Sequence, residues 1–272
     1  MRSIGRCVSL RALLLTLAAF VAIPPGPLRA QDAKPVYVCP PCGCSADEKT
    51  FDKPGECPEC HMGLVRKLPK REPRNVALLV FEGFEILDFA GPAEVFSAAR
   101  GSNAREFQVF TVSSSTEDAE SNGAVMMVKP EFTLEKCPKP DIVVIPGGRI
   151  DSVTRDVKLM EWIKARAADS EIVMSVCNGA IALHKAGLLE GLEATSHHAA
   201  IEYYFKRQAP EVRIVENRRF VDNGKIITAA GVSAGIDAAL HVVERLLGPE
   251  AADNTARYME YTRNKDTTTA SK

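Results

Sequence analysis

The chain has 272 residues, of which 46% are apolar and 25% charged, a composition typical of a folded soluble protein. This length allows one large domain, or one domain with a small module. Disorder is excluded because disordered chains combine low hydrophobicity with high net charge. The net charge of −1 argues against a general nucleic-acid binder, which usually carries a basic surplus.

Residues 1–30 have the three parts of a secretory signal peptide. Three arginines precede the apolar stretch 12–23, prolines end that stretch, and Ala30 provides a small residue for cleavage. The stretch is shorter than the roughly 20 residues of a membrane-spanning helix, although an uncleaved anchor is the alternative interpretation. The sequence therefore predicts an exported protein, periplasmic or secreted, with no membrane span once the signal is removed. Its mature form is expected to begin near Gln31.

Residues 31–66 form a cysteine-rich module with the spacing of metal ligands. Cys39 and Cys42 make one C-x-x-C pair, and Cys57 and Cys60 make a second. Fourteen residues separate the two pairs. A pair of disulfides is the alternative in an oxidising compartment, but the five cysteines of the module are an odd number. We predict that the two pairs bind one Zn(II) or Cu(I) ion. Three further side chains are candidate auxiliary ligands: Cys44, His61 and Met62.

This module resembles the short heavy-metal-binding domain that accompanies copper-efflux pumps and periplasmic efflux adaptors. The resemblance covers about 30 residues and centres on D-x-P-G-x-C-P-x-C at 52–60. The family usually has Met-His after Cys-Pro, where this chain has Pro41-Cys42, and it has glycine in place of His61. The resemblance implies a heavy-metal ion as a partner.

Residues 75–263 alternate strand and helix patterns, after a basic, proline-containing segment at 67–74 that predicts a solvated linker. The alternation predicts an α/β domain of the flavodoxin-like kind, a three-layer sandwich with a mostly parallel sheet. A polar tail at 264–272 follows it. Strands are predicted at 76–81, 107–112, 141–145, 171–176, 212–215, 219–222 and 225–228. Helices are predicted at 91–100, 157–168 and 233–247, with another that follows 177–179 and ends at Leu189.

Three motifs fall at the carboxyl ends of these strands, where open α/β sheets bind ligands. Asp88 lies in the loop after the first strand, Gly147 and Gly148 follow the third, and Cys177 stands where the fourth turns directly into a helix. A helix N-terminus stabilises a thiolate, and the glycine N–H groups could donate to an oxyanion. In the alternative interpretation, Cys177 is a small buried apolar residue and Asp88 only shapes a turn.

The motifs together resemble the ThiJ/PfpI superfamily, which has the class I glutamine-amidotransferase-like fold. The resemblance implies that Cys177 is an elbow nucleophile, that Asp88 is the carboxylate beside it, and that His197 lies near the same pocket. The segments that carry the resemblance span about 190 residues: 84–92, 143–148, 175–180, 186–189, 194–197 and 229–237. We also predict that N–H groups of Gly148 and Asn178 hold an oxyanion, and we expect no cofactor in this domain.

Two functions follow from that resemblance, which is strongest to isonitrile hydratase and to the amidase-like half of AraC-type regulators. In the first, a low-pKa Cys177 supported by Asp88 acts on a small carbon–nitrogen or carbonyl substrate, as a hydrolase or hydratase. In the second, the domain is a non-catalytic ligand, redox or metal-stress sensor, without the DNA-binding half. Protease-like members have histidine after the cysteine, and isonitrile hydratase has threonine, where this chain has Asn178. A homodimer is expected from the resemblance alone.

Overall fold

The computed structural model describes residues 34–264. The predicted signal peptide at 1–30 and all but the first residue of the predicted tail at 264–272 lie outside the described residues. Within the described part, no helix has both the length and the apolar character needed to cross a bilayer. The cysteine-rich module and the α/β domain belong to one compact unit.

A three-stranded antiparallel sheet forms the frame of the module. Its strands are β1 (Tyr37–Val38), β2 (Thr50–Phe51) and β3 (Val65–Arg66), with β1 in the middle. Its own apolar cluster is small and includes Cys39 and Cys57, while Val38 and Val65 pack into the core of the α/β domain. A bound ion would add a cross-link to this module.

The segment at 67–74, predicted as a solvated linker, is exposed at Lys67, Pro69, Lys70 and Glu72, but two of its other residues attach it to the domain. The N–H of Leu68 donates to Ser102 Oγ at 3.0 Å, and the Leu68 side chain packs against the main core. Arg71 lies 3.9 Å from the buried carboxylate of Glu106. Burial of one leucine and pairing of one arginine are enough to hold so short a segment against the domain.

The α/β domain contains eleven further strands and eight helices among the described residues. The strands are β4 (Arg74–Leu79), β5 (Phe107–Ser113), β6 (Ala119–Glu120), β7 (Met127–Val128), β8 (Phe132–Thr133), β9 (Ile142–Ile145), β10 (Ile172–Val176), β11 (Glu193–Ala194), β12 (Arg213–Ile214), β13 (Phe220–Asp222) and β14 (Ile226–Ala229). The helices are α1 (Ile86–Ala98), α2 (Asp151–Thr154), α3 (Val157–Asp169), α4 (Ala180–Lys185), α5 (His198–Ala200), α6 (Lys206–Gln208), α7 (Ala234–Leu247) and α8 (Pro249–Tyr258).

The central sheet has seven strands in the order β13-β14-β10-β9-β4-β5-β8. All pairs are parallel except β13–β14, which is a hairpin that turns at Asn223 and Gly224. Alternate residues of β4 enter two separate cores: Val76 and Leu78 face α1, α7 and α8, while Ala77 and Leu79 face α2, α3 and α4. The predicted three-layer α/β sandwich with a mostly parallel sheet is confirmed.

Several helices and strands differ from prediction, and among them α4 ends at Lys185 rather than at Leu189. Helix α1 begins at Ile86, five residues before the predicted start, because Pro92 lies inside the helix and not in its first turn. Helix α8 was not predicted, although Pro249 stands at its first position. The predicted strand at 212–215 is shortened to β12, which pairs with β11 and lies outside the central sheet.

Candidate active site and metal site

Cys177 occupies a strained turn at the carboxyl end of β10. Its φ angle is +59°, which is uncommon for a residue with a side chain, and the chain passes from strand into a 3₁₀ turn at this position. Backbone hydrogen bonds fix the turn, since the Cys177 N–H donates to Ala230 O at 2.8 Å and Ser196 Oγ donates to Cys177 O at 2.7 Å. The side chain is 8% exposed, so the sulfur is held in a buried, oriented position.

The carboxyl group of Asp88 is fully buried beside this turn. Its Oδ2 accepts the N–H of Gly147 at 2.9 Å, whereas Oδ1 has no hydrogen-bond partner among the described residues. A Cβ atom added to Gly147 would lie 2.8 Å from both Asp88 Oδ2 and Cys177 Cβ. The three residues thus meet at one point, although they come from α1, from the loop after β9 and from the end of β10.

Burial sets the protonation of this pair. Removal from water, together with the nearby charge of Glu85, raises the pKa of Asp88 to about 7, despite the N–H of Gly147. Burial and then the Asp88 charge raise the pKa of Cys177 to about 12. A low-pKa thiolate at Cys177 is therefore disfavoured while Asp88 is ionised. Near neutral pH the pair holds a thiol and a carboxyl group that is half protonated, and the two groups titrate together.

The N–H groups of Gly147 and Gly148 do not form the open oxyanion pocket that the sequence suggested. The first is occupied by Asp88, and the second donates to Asn178 Oδ1 at 2.8 Å. The same amide group of Asn178 donates through Nδ2 to Gly148 O at 2.9 Å. The Asn178 side chain therefore clamps the loop after β9 onto the elbow, a role that the hydroxyl of threonine could fill only in part.

Val232 was missed by sequence reasoning. Its backbone has a φ angle of +48°, which is rare for a β-branched residue. The N–H groups of Asn178 and Val232 lower the pKa of Cys177, opposing the effect of burial, and that of Val232 also lowers the pKa of Asp88. Since the N–H groups of Gly147 and Gly148 are occupied, those of Asn178 and Val232 are the candidate donors to negative charge at this site. The sequence did contain a signal for Val232, because the segment 229–237 is one of those that carry the family resemblance. None of its residues was given a role.

His197 lies in the wall of a cleft that adjoins the elbow. The cleft has a volume of about 520 Å³ and is also lined by Gly231 and Val232. Nδ1 of His197 accepts the N–H of Ala199 at 3.2 Å, so the neutral ring carries its proton on Nε2. Burial lowers its pKa, as does the neighbouring His198 ring at 4.1 Å. His197 thus presents a neutral N–H donor to the cleft, and among the described residues no hydrogen bond joins it to Cys177.

The module places four thiols in a group suited to one tetrahedral ion: Cys39, Cys44, Cys57 and Cys60. Their sulfur atoms all lie within 4.8 Å of one another, with Cys39 at 3.8 Å from Cys44 and 3.5 Å from Cys60. Four sulfurs at about 2.3 Å from a zinc ion are separated by about 3.8 Å. The donor set therefore fits a soft metal ion of this size, and the seven cysteines of the described residues are free thiols.

The four-thiol group differs from the predicted ligand set. Cys44, predicted as an auxiliary, belongs to the four-thiol group, because Gly43 with a φ of +86° turns the chain back toward the cluster. Cys42 lies at the exposed edge, 3.7 Å from Cys60 Sγ and 3.9 Å from Cys39 Sγ. His61 is exposed and belongs to neither ligand group found among the described residues. Met62, the remaining predicted auxiliary, packs against the apolar cluster of the module.

Comparison with known proteins supports the same division into two parts. The sequence model of the DJ-1/PfpI family matches residues 74–245. The chain belongs to the DJ-1/PfpI family. The model of the heavy metal binding domain matches residues 36–67, which contain the thiol group. Both resemblances inferred from the sequence are confirmed.

The individual relatives include enzymes and regulators. Isonitrile hydratase of Pseudomonas putida is 31% identical over 188 residues, which cover 69% of this chain and 78% of the relative. The transcriptional regulator GbdR of Pseudomonas aeruginosa is 26% identical, over 71% of this chain and only 52% of the regulator. A ThiJ/PfpI family protein from Pseudomonas syringae has a similar structure, with a TM-score of 0.63 and 27% identity, over 75% of this chain and 82% of that one.

Proposed function

We propose that the α/β domain adds water to a small substrate with a carbon–nitrogen multiple bond, of the isonitrile class. The main support for this proposal is the carboxyl group of Asp88, which is fully buried beside the thiol of Cys177 and has a pKa of about 7. An acid with this pKa is matched to proton transfer at neutral pH. The similarity to isonitrile hydratase supports the substrate class.

The reaction uses the two side chains in turn. Protonated Asp88 donates to the isonitrile carbon while the sulfur of Cys177 bonds to the same carbon, and the thiol proton passes to the Asp88 carboxylate. The product of this step is a thioimidate on Cys177. Water then adds across the carbon–nitrogen double bond, with its hydroxyl on carbon and one proton on nitrogen. The carbon–sulfur bond breaks as the hydroxyl becomes the formamide carbonyl, and the hydroxyl proton goes to the sulfur. The sum is one water added to the isonitrile, release of an N-substituted formamide, and regeneration of both side chains.

The N–H groups of Val232 and Asn178 stabilise negative charge that develops beside the sulfur. His197 directs its Nε2–H into the adjoining cleft, where it orients the substrate or the attacking water. Since the first step needs protonated Asp88, the turnover rate should fall above pH 7, by roughly tenfold per pH unit.

Formamide production from a small alkyl isonitrile by the purified mature protein is the direct test. Cys177→Ser and Asp88→Asn should abolish production. Cys137→Ser is the matched control, because Cys137 is a half-buried thiol held by Leu134 O and away from the elbow. Turnover that persists in Cys177→Ser, or an intact protein that yields no formamide from any small isonitrile, would reject this function.

Ligand sensing without turnover is the second candidate, and the 520 Å³ cleft favours it. The cleft is lined by charged and polar side chains, and Cys177 is not among its lining residues. Regulators such as GbdR share this part of the fold over about half of their length. A small molecule that raises the melting temperature but is recovered unchanged, with the effect retained in Cys177→Ser, would support sensing over catalysis.

The module acts as a metal-binding unit in this proposal, with Cys39, Cys44, Cys57 and Cys60 as the residues that hold the ion. The ion supplies the cross-link that so small a core needs. Export of the protein and its assembly into a homodimer belong to the same proposal. Fractionation that finds unprocessed chain in the cytosol would reject export, and a monomer mass by light scattering at micromolar concentration would reject the dimer.

A further inference from the structure

The module has one thiol more than a single tetrahedral ion can use. Five of the described thiols lie in the module, whereas the four-thiol group alone supplies every ligand of such an ion. The fifth thiol belongs to Cys42, which is exposed. Its sulfur is 3.9 Å from that of Cys39 and 3.7 Å from that of Cys60, which matches the spacing within the four-thiol group.

Cys42 completes a second set of four thiols that differs from the first in a single member. The sulfurs of Cys39, Cys42 and Cys44 lie within 4.8 Å of one another. Cys60 lies within the same distance of Cys39 and Cys44, because all three belong to the four-thiol group. Its sulfur is also 3.7 Å from that of Cys42, so the second set is complete. This set has Cys42 in the place of Cys57.

The two interchangeable thiols differ in their access to solvent. Cys57 is fully buried, whereas Cys42 is exposed. Backbone hydrogen bonds also hold Cys57, since its N–H donates to Met62 O at 2.8 Å and its carbonyl accepts the N–H of His61 at 2.9 Å. The set with Cys57 is therefore the more enclosed one, and the set with Cys42 has a ligand that an external acceptor can reach.

Asp47 holds the turn that carries Cys42. Its Oδ2 accepts the N–H of Gly43 at 2.7 Å and that of Cys42 at 3.1 Å. Gly43 has a φ of +86°, a left-handed conformation that reverses the chain at this point. These contacts keep Cys42 beside the four-thiol group, so its sulfur is available as a replacement ligand.

We propose that Cys42 is an exchange ligand, which replaces Cys57 and thereby opens the module to transfer of its ion to or from an external acceptor. This inference rests on the proposed metal binding of the module and goes beyond it. In the exchange, the Cys42 sulfur gives up its proton as it becomes a ligand, and the Cys57 sulfur takes up a proton as it leaves. The number of thiolate ligands and the charge of the site are unchanged, so no uncompensated charge remains in this partly buried cluster.

The number of bound thiolates tests the replacement. We would use the full mature chain with Cys137→Ser and Cys177→Ser, so that only the five thiols of the module remain. After reduction and loading with Cd(II), native mass spectrometry should count one ion per chain, and the cadmium-113 chemical shift should report four sulfur ligands. Cys57→Ala should keep one ion and four sulfur ligands, because Cys42 fills the position. Cys44→Ala is the matched control and should fall to three, since Cys42 and Cys57 do not belong to a common set.

The rate of ion transfer tests the role in exchange. After loading with Zn(II), transfer to the chelator zincon should slow severalfold in Cys42→Ala, although this variant keeps one ion on four thiolates. Glu48→Gln, which changes an exposed carboxylate outside both sets, should transfer at the parent rate. Fewer than four sulfur ligands in Cys57→Ala, or transfer from Cys42→Ala that is as fast as from the parent, would overturn the exchange and leave the proposed metal binding intact. No bound ion in the parent would overturn both.

Discussion

Replacing Asp88 by asparagine should stabilise the protein above neutral pH and make Cys177 more reactive. Ionisation of Asp88 disfavours the folded state, because its pKa is about 7 in the fold and 3.8 in the unfolded chain. The carboxyl group contributes its full stability below about pH 3.8 and loses it as the pH rises to 7. An asparagine at this position does not ionise, so the stability of the variant does not fall for this reason as the pH rises.

The size of the effect follows from the pKa difference. A shift of about 3 units at roughly 1.4 kcal/mol per unit gives about 4 kcal/mol between pH 4 and pH 8. Because the group is fully buried, little of this is screened by solvent. For a unit of this size, that difference corresponds to a change in melting temperature on the order of 10 °C. Removing the Asp88 charge also lowers the pKa of Cys177, since that charge is the second largest cause of its rise after burial.

Urea unfolding of both proteins at pH 4 and pH 8 measures the first effect, and iodoacetamide labelling of Cys177 at pH 8 measures the second. The comparison between pH values cancels any fixed cost of burying the amide. Glu82→Gln removes an exposed carboxylate near the same loop and should give no pH-dependent difference. A stability difference between Asp88→Asn and wild type that is flat from pH 4 to pH 8 would refute the reasoning, as would slower labelling of Cys177.

Three further predictions concern packing, docking and metal removal. Gly147→Ala should destabilise the fold by about 1–3 kcal/mol in urea unfolding, because the new Cβ would overlap Asn178 Oδ1 and crowd Asp88; an unchanged midpoint would contradict this geometry. Asn254→Ala removes two hydrogen bonds to the backbone of Gly63, at 3.1 and 2.7 Å, and should cost about 1–3 kcal/mol. Hydrogen exchange should then quicken in residues 57–66 and not at the elbow. A strong chelator should expose residues 36–67 to protease but leave the labelling rate of Cys177 unchanged.

The sequence predicted the features that depend on local signals. The elbow at Cys177 followed from a buried β-rich run that meets a glycine-containing helix start, and both elements are present. The metal module followed from cysteine spacing and a short motif, and its family model matches. Gly248 and Pro249 are local signals for the start of α8, which therefore also lay within reach of the sequence.

The sequence could not predict which donors are free, because that depends on distant partners. The N–H of Gly147 meets a carboxylate 59 residues away, and that of Gly148 meets an amide 30 residues away. Likewise, C-x-x-C spacing favoured Cys42 as the partner of Cys39 in the four-thiol group. The left-handed turn at Gly43 brings Cys44 into that group instead. Burial of Asp88 and its effect on the two pKa values required the packed structure.

Chain topology separates the two sites. Parallel strands run in the same direction, so their starts lie on one side of the sheet and their ends lie on the opposite side. Cys177 follows the end of β10. The segment that joins the module to the start of β4 contacts Ser102 through Leu68 and Glu106 through Arg71, just before β5 begins. A strand of six or seven residues is about 20 Å long, so the starts and the ends of the strands are about that far apart. In the proposed function, a bound ion would therefore act on the module and its docking, while the chemistry of Cys177 would depend on Asp88 and the N–H groups on the opposite side of the sheet.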